Sequence, residues 1–293
     1  MTTAVVTMVY DDEFFLDIWV KYYEQFTERK NLFILTHGHQ DYAARIAEGC
    51  NIIELNRREL YEGMDGDRFK CVNHFCGALS HMFDRVIYND VDELIVLDPD
   101  KGDNPITHIE SIDPKIEVIT AFGLEIIHRI DLEDDYDPRR QILSQRQYVR
   151  ASGWYSKPCI TNRYTRWRPD GHGSDCPVQY IDDDLYLFHL KWFDRNIHVD
   201  RYLDRVAMRR VDEKGKEIII GGGSWTVSQY HYLRNTNSML RFTIDKNNNG
   251  WDFSHRRNTL RRTYRHGGKD RYTSSFFVEG DLRIIPERFV GLF

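Results

Sequence analysis

Residues 84–99 read DRVIYNDVDELIVLDP, and the fold turns on how that stretch is taken. Val86-Ile87-Tyr88 has the length and β-branched character of a buried strand. The run stops at Asn89-Asp90-Val91-Asp92-Glu93, and a second apolar run, Leu94-Ile95-Val96-Leu97, follows it. In an extended chain, residues i and i+2 point to the same side. A strand ending here therefore brings Asp90 and Asp92 together on one rim of a sheet. Two hard oxygen ligands held this way suit Mg2+ or Mn2+, which completes its shell with water and substrate phosphates. An isolated Asp-x-Asp is usually a solvated turn. Acids held between two buried runs are costly without a cation beside them, which favours the functional reading.

Upstream, strand and helix alternate. Residues 4–10 form a compact strand candidate, with Asp11 and Asp12 as N-cap and first-turn acids of the next helix. Phe15, Ile18, Trp19, Tyr22, Tyr23 and Phe26 recur at the spacing of an amphipathic helix. Residues 32–35 and 51–55 are further strands, with a turn at Thr36-His37-Gly38-His39 and a short helix over 41–47. A helix over 67–82 leads into the strand that ends at Asp90. This alternation predicts an α/β fold with a mostly parallel sheet whose ligands bind beyond the carboxyl ends of its strands. No glycine-rich phosphate turn follows the first strand, which disfavours a nicotinamide dehydrogenase or a P-loop enzyme.

Downstream the rhythm changes. Strands are expected over 115–123, around Tyr148 and Cys159, and over 180–191, where Leu185-Tyr186-Leu187-Phe188-His189 alternates. A charged helix over 193–211 should turn Val199, Leu203 and Val206 inward. Gly221-Gly222-Gly223 reads as a hinge between a main domain (1–220) and a helical, basic C-terminal extension (221–293). The arginines of that extension, Arg256, Arg257, Arg261, Arg262 and Arg265 among them, read as a solvated face or as a peripheral contact with an anionic membrane.

The chain has 293 residues, 41% hydrophobic and 29% charged, with a net charge of -6. That balance fits a globular protein and argues against nucleic acid as partner. Its five scattered cysteines imply no disulfide framework. No stretch matches a signal peptide or a membrane span, so the expected location is cytoplasmic, extending to the inner face of the membrane through the basic segment.

With these pieces placed, the chain resembles the GT-A glycosyltransferases, most closely the family 2-like and family 92-like bacterial enzymes. The resemblance rests on VTMVYDDEFFLDIWVKYY, RFKCVNHFCGALSHMF, IYNDVDELIVLDP, AFGLE and LYLFHLK, and covers about residues 4–195. The family usually has Asn-Glu where this chain has Asp11-Asp12, and an Asp-Asn-Gly-Ser-like turn where it has residues 36–39.

The resemblance implies a Rossmann-like GT-A sheet and a transferase moving sugar from a nucleotide-diphosphate sugar to a hydroxyl, on a glycan or glycolipid, with inversion. It implies donor contacts from Tyr10, Asp11, Asp12, Lys70, Asn89 and Asp90. Mn2+ or Mg2+ would be held by Asp90, Asp92 and a later histidine, His189, offsetting charge on the leaving diphosphate. His172 is the competing ligand or an acceptor contact. Inverting transfer also needs a general base, for which Glu125 is first candidate and Asp175 the reserve. Arg163 and Arg166 are candidates for an anionic donor or acceptor. The rival readings are a haloacid-dehalogenase-like phosphatase with an aspartyl nucleophile, and a non-catalytic carbohydrate-binding protein on a transferase fold.

Overall fold

The computed structural model describes residues 1–169, 171–209, 228–238, 242–245, 251–268 and 271–293. Strand β1 (Thr3–Val9) lies between β2 (Leu32–His37) and β4 (Arg85–Tyr88), parallel to both, and β2 runs parallel to β3 (Asn51–Leu55). With neighbours on both edges and helices on both faces, β1 is buried along its whole length, so its sequence is a continuous apolar run. Its side chains still alternate. Val5 and Val9 join the core beneath α1 (Glu13–Tyr23) and α2 (Asp41–Ile46), while Ala4, Val6 and Met8 pack with Phe69, Val72 and Cys76 of α3 (Met64–Leu79).

The sheet continues from β4 through antiparallel pairings to β8 (Ile160–Thr161), β6 (Val118–Ile127), β7 (Tyr148–Ala151) and β12 (Arg283–Ile284). The long β9 (Tyr180–Trp192) runs parallel to β6 and antiparallel to β5 (Glu93–Leu97). The result is the mixed, mostly parallel, Rossmann-like α/β sheet with flanking helices that the alternation predicts. Strand β5 is held on its other side by α1. Tyr22 Oη donates to the carbonyl of Ile95 (2.7 Å) and Tyr23 Oη accepts from its amide (3.1 Å).

Three expectations need correction. Residues 90–93 form a turn, closed by the Glu93 amide donating to the Asp90 carbonyl (2.9 Å), so Asp90 and Asp92 are not brought together by strand alternation. Asp12 stands at the N-cap of α1 but makes no side-chain cap bond, because its carboxylate is engaged by Arg201. The charged helix is α5 (Arg195–Met208), and its buried residues are His198 and Tyr202, with Leu203 exposed. It is capped by Asp194, whose carboxylate accepts from the amides of Asn196 and Ile197.

The glycine hinge and the 220/221 boundary lie outside the described residues. Beyond them, α6 (Gln229–Ser238) packs Tyr232 on α5, and α7 (Ser254–Thr263) precedes the hairpin β10 (Arg265–His266) and β11 (Tyr272–Thr273). Phe253, Leu260, Phe289 and Phe293 enter the principal core, and β12 joins the main sheet. Several arginines of the basic run are consumed internally. Arg256 pairs with Glu279 (2.8 Å), Arg261 with Asp183 (2.9 Å), and buried Arg257 lies over the rings of Phe122 and Tyr186. Among the described residues, no helix is long and apolar enough to cross a membrane.

Candidate functional site

The carboxyl ends of β1, β2 and β4 open into a cleft of about 310 Å³, lined there by Val9, Tyr10, His37 and Asp90. This is where the chain connections reverse direction in the sheet, β1 being flanked by β2 on one side and β4 on the other. Both motif aspartates line it, although a turn rather than an extended strand puts them there. Among the described residues, Arg57, Arg68, Lys157, Lys191, Arg201 and Arg205 face Asp12, Asp65, Asp90, Asp92 and Glu93, in a chain whose net charge is -6.

Two cations bridge these acids in pairs. Arg201 donates to Asp92 Oδ2 (2.8 Å) and to Asp12 Oδ2 (2.5 Å), joining α5 to the ends of β1 and β4. Lys157 Nζ donates to Asp90 Oδ2 (3.0 Å) and lies 2.6 Å from Glu93 Oε1. Arg68 approaches Asp90 Oδ1 at 3.6 Å. Burial opposes ionisation of Asp90, but Lys157 and Arg68 outweigh it and hold the carboxyl at about 2. That side chain keeps 28% exposure, so its two cations act partly through solvent. Burial likewise opposes ionisation of Asp92, and Arg201 with His189 hold it far below the usual range. Burial raises Glu93 to about 8 against the pull of Lys157.

Lys157 owes its place to Gly123. A Cβ there would sit 2.3 Å from the carbonyl carbon of Tyr155 and 2.5 Å from the Ser156 nitrogen, so only glycine lets the 155–157 loop cross β6 so closely. The Gly123 amide donates to Ser156 Oγ (2.9 Å), fixing that crossing.

His189 sits on β9 opposite Glu93 of β5 and Glu125 of β6. Its ring stacks on Tyr155 (centroids 3.8 Å apart), with Nε2 3.8 Å from Asp92 Oδ2 and Nδ1 3.8 Å from Glu125 Oε1. Burial lowers its basicity, against Glu125 and Asp92. Among the described residues, no group of three His, Cys, Asp or Glu side chains forms a complete metal cage.

The other residues singled out in the sequence divide clearly. Tyr10 lines the cleft beneath the Arg57 guanidinium (3.3 Å from its ring centroid), and His172 lines it beside Tyr155. Asp11, at φ +48°, donates its amide to Gln40 Oε1 (2.9 Å) and lines an adjoining cavity with Tyr10, Gln40 and Arg57. Asn89 is buried and braces the turn by donating to the Glu93 carbonyl.

Glu125 lies behind His189, accepting from Arg150 Nε (2.7 Å) and Trp192 Nε1 (3.1 Å). Burial works against its charge, but His189 and Arg150 lower it to about 2. Lys70 is exposed and paired with Asp67 (2.7 Å). Asp175 pairs with Arg163 (3.2 Å) and Arg166 (3.1 Å), and none of the three lines the cleft.

Arg68, Lys157, Lys191, Arg201 and Arg205 escape a reading of the sequence. The i, i+4 spacing of Arg201 and Arg205 on α5 was the available signal, since it puts two cations on one helical face. Lys191 forms no ion pair among the described residues. Burial, with Arg205 nearby, lowers its ammonium to about 8.

No family model matches the chain, and no curated protein matches it. Among solved structures it is similar to a mannose-1-phosphate geranyltransferase from Thermus thermophilus. The identity is 12% and the TM-score 0.30, over 52% of this chain and 49% of that one, so the match spans about half of each. A likeness that slight carries no argument about what the cleft does.

Proposed function

We propose that the cleft binds the diphosphate of a nucleotide-activated sugar and that the protein is a GT-A-type glycosyltransferase acting on a hydroxyl acceptor, a glycan or glycolipid. The observation that carries this reading is the convergence of Asp90 and Asp92 with Arg57, Arg68, Lys157, Lys191 and Arg201 at the carboxyl ends of β1, β2 and β4. Lys191 faces the cleft without an ion pair among the described residues, and burial makes such an ammonium costly. A bound diphosphate relieves it.

The donor set also fits Mg2+ or Mn2+. Two of those donors, His189 Nε2 and Asp92 Oδ2, lie 3.8 Å apart. Behind the ring, Glu125 Oε1 lies 3.8 Å from Nδ1. Asp92 and His189 would hold the ion, with Asp90 beside them. When bound, it supplies Lewis-acid stabilisation to the leaving diphosphate.

The rest of the chemistry falls to the chain. Lys191 and Arg205 hold phosphate oxygens, Arg201 fixes the Asp92 carboxylate, and Lys157 fixes Asp90. Tyr10 and Arg57 form the wall beside the polar cavity that would take the nucleoside. His172 faces the acceptor side and is the group placed to take the hydroxyl proton.

Hydrolysis and thermal-shift assays with a panel of nucleotide sugars, with and without Mn2+, test the reading. Turnover of at least one donor, lost in Asp92→Asn, is expected. Turnover of phosphomonoesters but of no nucleotide sugar would hand the site to the phosphatase reading.

A further inference from the structure

An aromatic array adjoins the cleft at the loop after β7. Tyr155 and His172 line the cleft itself. Trp154 and Phe276 extend the wall outward, stacked face to face with centroids 3.8 Å apart and planes within 10°. His172 stands edge-on to Trp154, Tyr155 and Phe276, at 5.4, 5.8 and 5.8 Å. Trp154 remains 41% exposed, an uncommon state for the largest apolar side chain in a protein that buries Trp19 and Trp167.

The array is held rigidly in place. The Gly153 amide donates to the Phe277 carbonyl (2.8 Å), Ser152 bridges to Val278, and the Glu279 amide donates to the Ala151 carbonyl (3.0 Å). A Cβ at Gly153 would come within 2.9 Å of the Phe277 ring, so the two segments meet as closely as glycine permits. Two segments distant in sequence are thus tied together beside the cleft, presenting in Trp154 and Phe276 two rings that belong to no core cluster.

We propose that this wall is the seat of the acceptor, receiving the pyranose ring of a terminal sugar. The inference rests on the glycosyltransferase reading of the cleft. A pyranose has one face of C–H groups that packs on an aromatic ring and a rim of hydroxyls that needs polar partners, here Lys157 and His172. Sheet order separates the two substrates. The wall hangs from the loop after β7, whereas the polar cavity of Tyr10, Asp11 and Arg57 lies at β1 and β2, with Asp90 at the end of β4 between them. A sugar on the wall has its hydroxyl directed past His172 towards the aspartates.

Saturation-transfer NMR with methyl glucosides, galactosides and mannosides, in the presence of UDP or GDP and Mn2+, tests this on the full chain. At least one glycoside should receive saturation at its ring protons. That signal should vanish in Trp154→Ala and fall in Phe276→Leu, while the nucleotide signal persists in both, with thermal melts confirming that each variant folds.

A glycoside signal retained in both variants, or none in the folded wild type, overturns the proposal. Loss of the nucleotide signal instead would make the wall a nucleobase platform and also overturn it. If no nucleotide binds the wild type but the glycoside signal depends on Trp154, the wall stands and the transferase reading fails.

Discussion

Two clusters of this molecule are built from the same side chains and differ in almost everything else. In the cleft, Asp12, Asp90, Asp92 and Glu93 are interleaved with Arg201 and Lys157. In the outer loop, Asp175 is paired with Arg163 and Arg166, and Arg163 also with Glu117 (2.9 Å). Sequence puts both forward as site candidates. In the cleft, burial forces charges to answer one another, so Asp90 and Asp92 are driven down while Glu93 is driven up. In the outer loop Asp175 is as buried as Asp92, but its partners Arg163 and Arg166 are 29% and 44% exposed, so solvent shares their charge. Carboxylates whose environments push them apart mark a site where chemistry is set up. A salt bridge by itself does not.

The largest effect expected from this contrast is at Asp92. Replacement by Asn keeps the shape and removes the charge, and donor turnover should fall by about a thousandfold, as when a group stabilising developing charge is removed. Steady-state hydrolysis of the preferred nucleotide sugar checks it. Removing the bridging cation should be felt in folding. Arg201→Met leaves Asp12 and Asp92 without the cation that bridges them, and denaturant unfolding should report a loss of about 3 kcal/mol.

Gly123→Ala tests whether the cleft depends on the close crossing of β6. The added methyl meets backbone, so a cost of about 1–3 kcal/mol is expected, with weaker nucleotide binding as Lys157 and Tyr155 shift. Calorimetric melting and nucleotide titration would show both.

Glu125 gives a pH test. Its folded-state value of about 2 lies below the ordinary value of 4.5, so folding favours its charged form. That contribution is fully present above about pH 4.5 and is lost as pH falls towards 2. The stability difference between wild type and Glu125→Gln should therefore shrink over that window, measured by urea unfolding at each pH. Asp175→Asn should show the smallest effect, about 1 kcal/mol or less in stability, with nucleotide binding unchanged. Equal losses of binding at Asp175 and Asp92 would erase the distinction between the clusters.

How much of this could be read from the chain depends on distance along it. The strand–helix alternation to Asp90 is local, set by apolar periodicity and turn residues, and each of those elements is found within a few residues of its expected bounds. His189 was reachable through the resemblance, which expects a later histidine, and it lies in an alternating strand. Arg201 was not. Its helix was assigned an inward face by the apolar residues Val199, Leu203 and Val206, yet the helix is rotated so that His198 and Tyr202 are buried. The acids at the ends of β1 and β4 draw Arg201 inward, a pull that exists only once the sheet is assembled.

The sequence by itself determined the element order as far as Asp90, the central buried strand and the presence of Asp90 and Asp92 at a strand end, because periodicity and chain reversal are properties of neighbours. Tertiary structure alone decided which cations answer those acids and that Glu125 stands behind His189. It also decided that Trp154 meets Phe276, and that phenylalanines at the end of the chain complete the principal core. Charge compensation and ring stacking are settled by proximity in space, and Arg201 and Asp12 meet across 189 residues of chain.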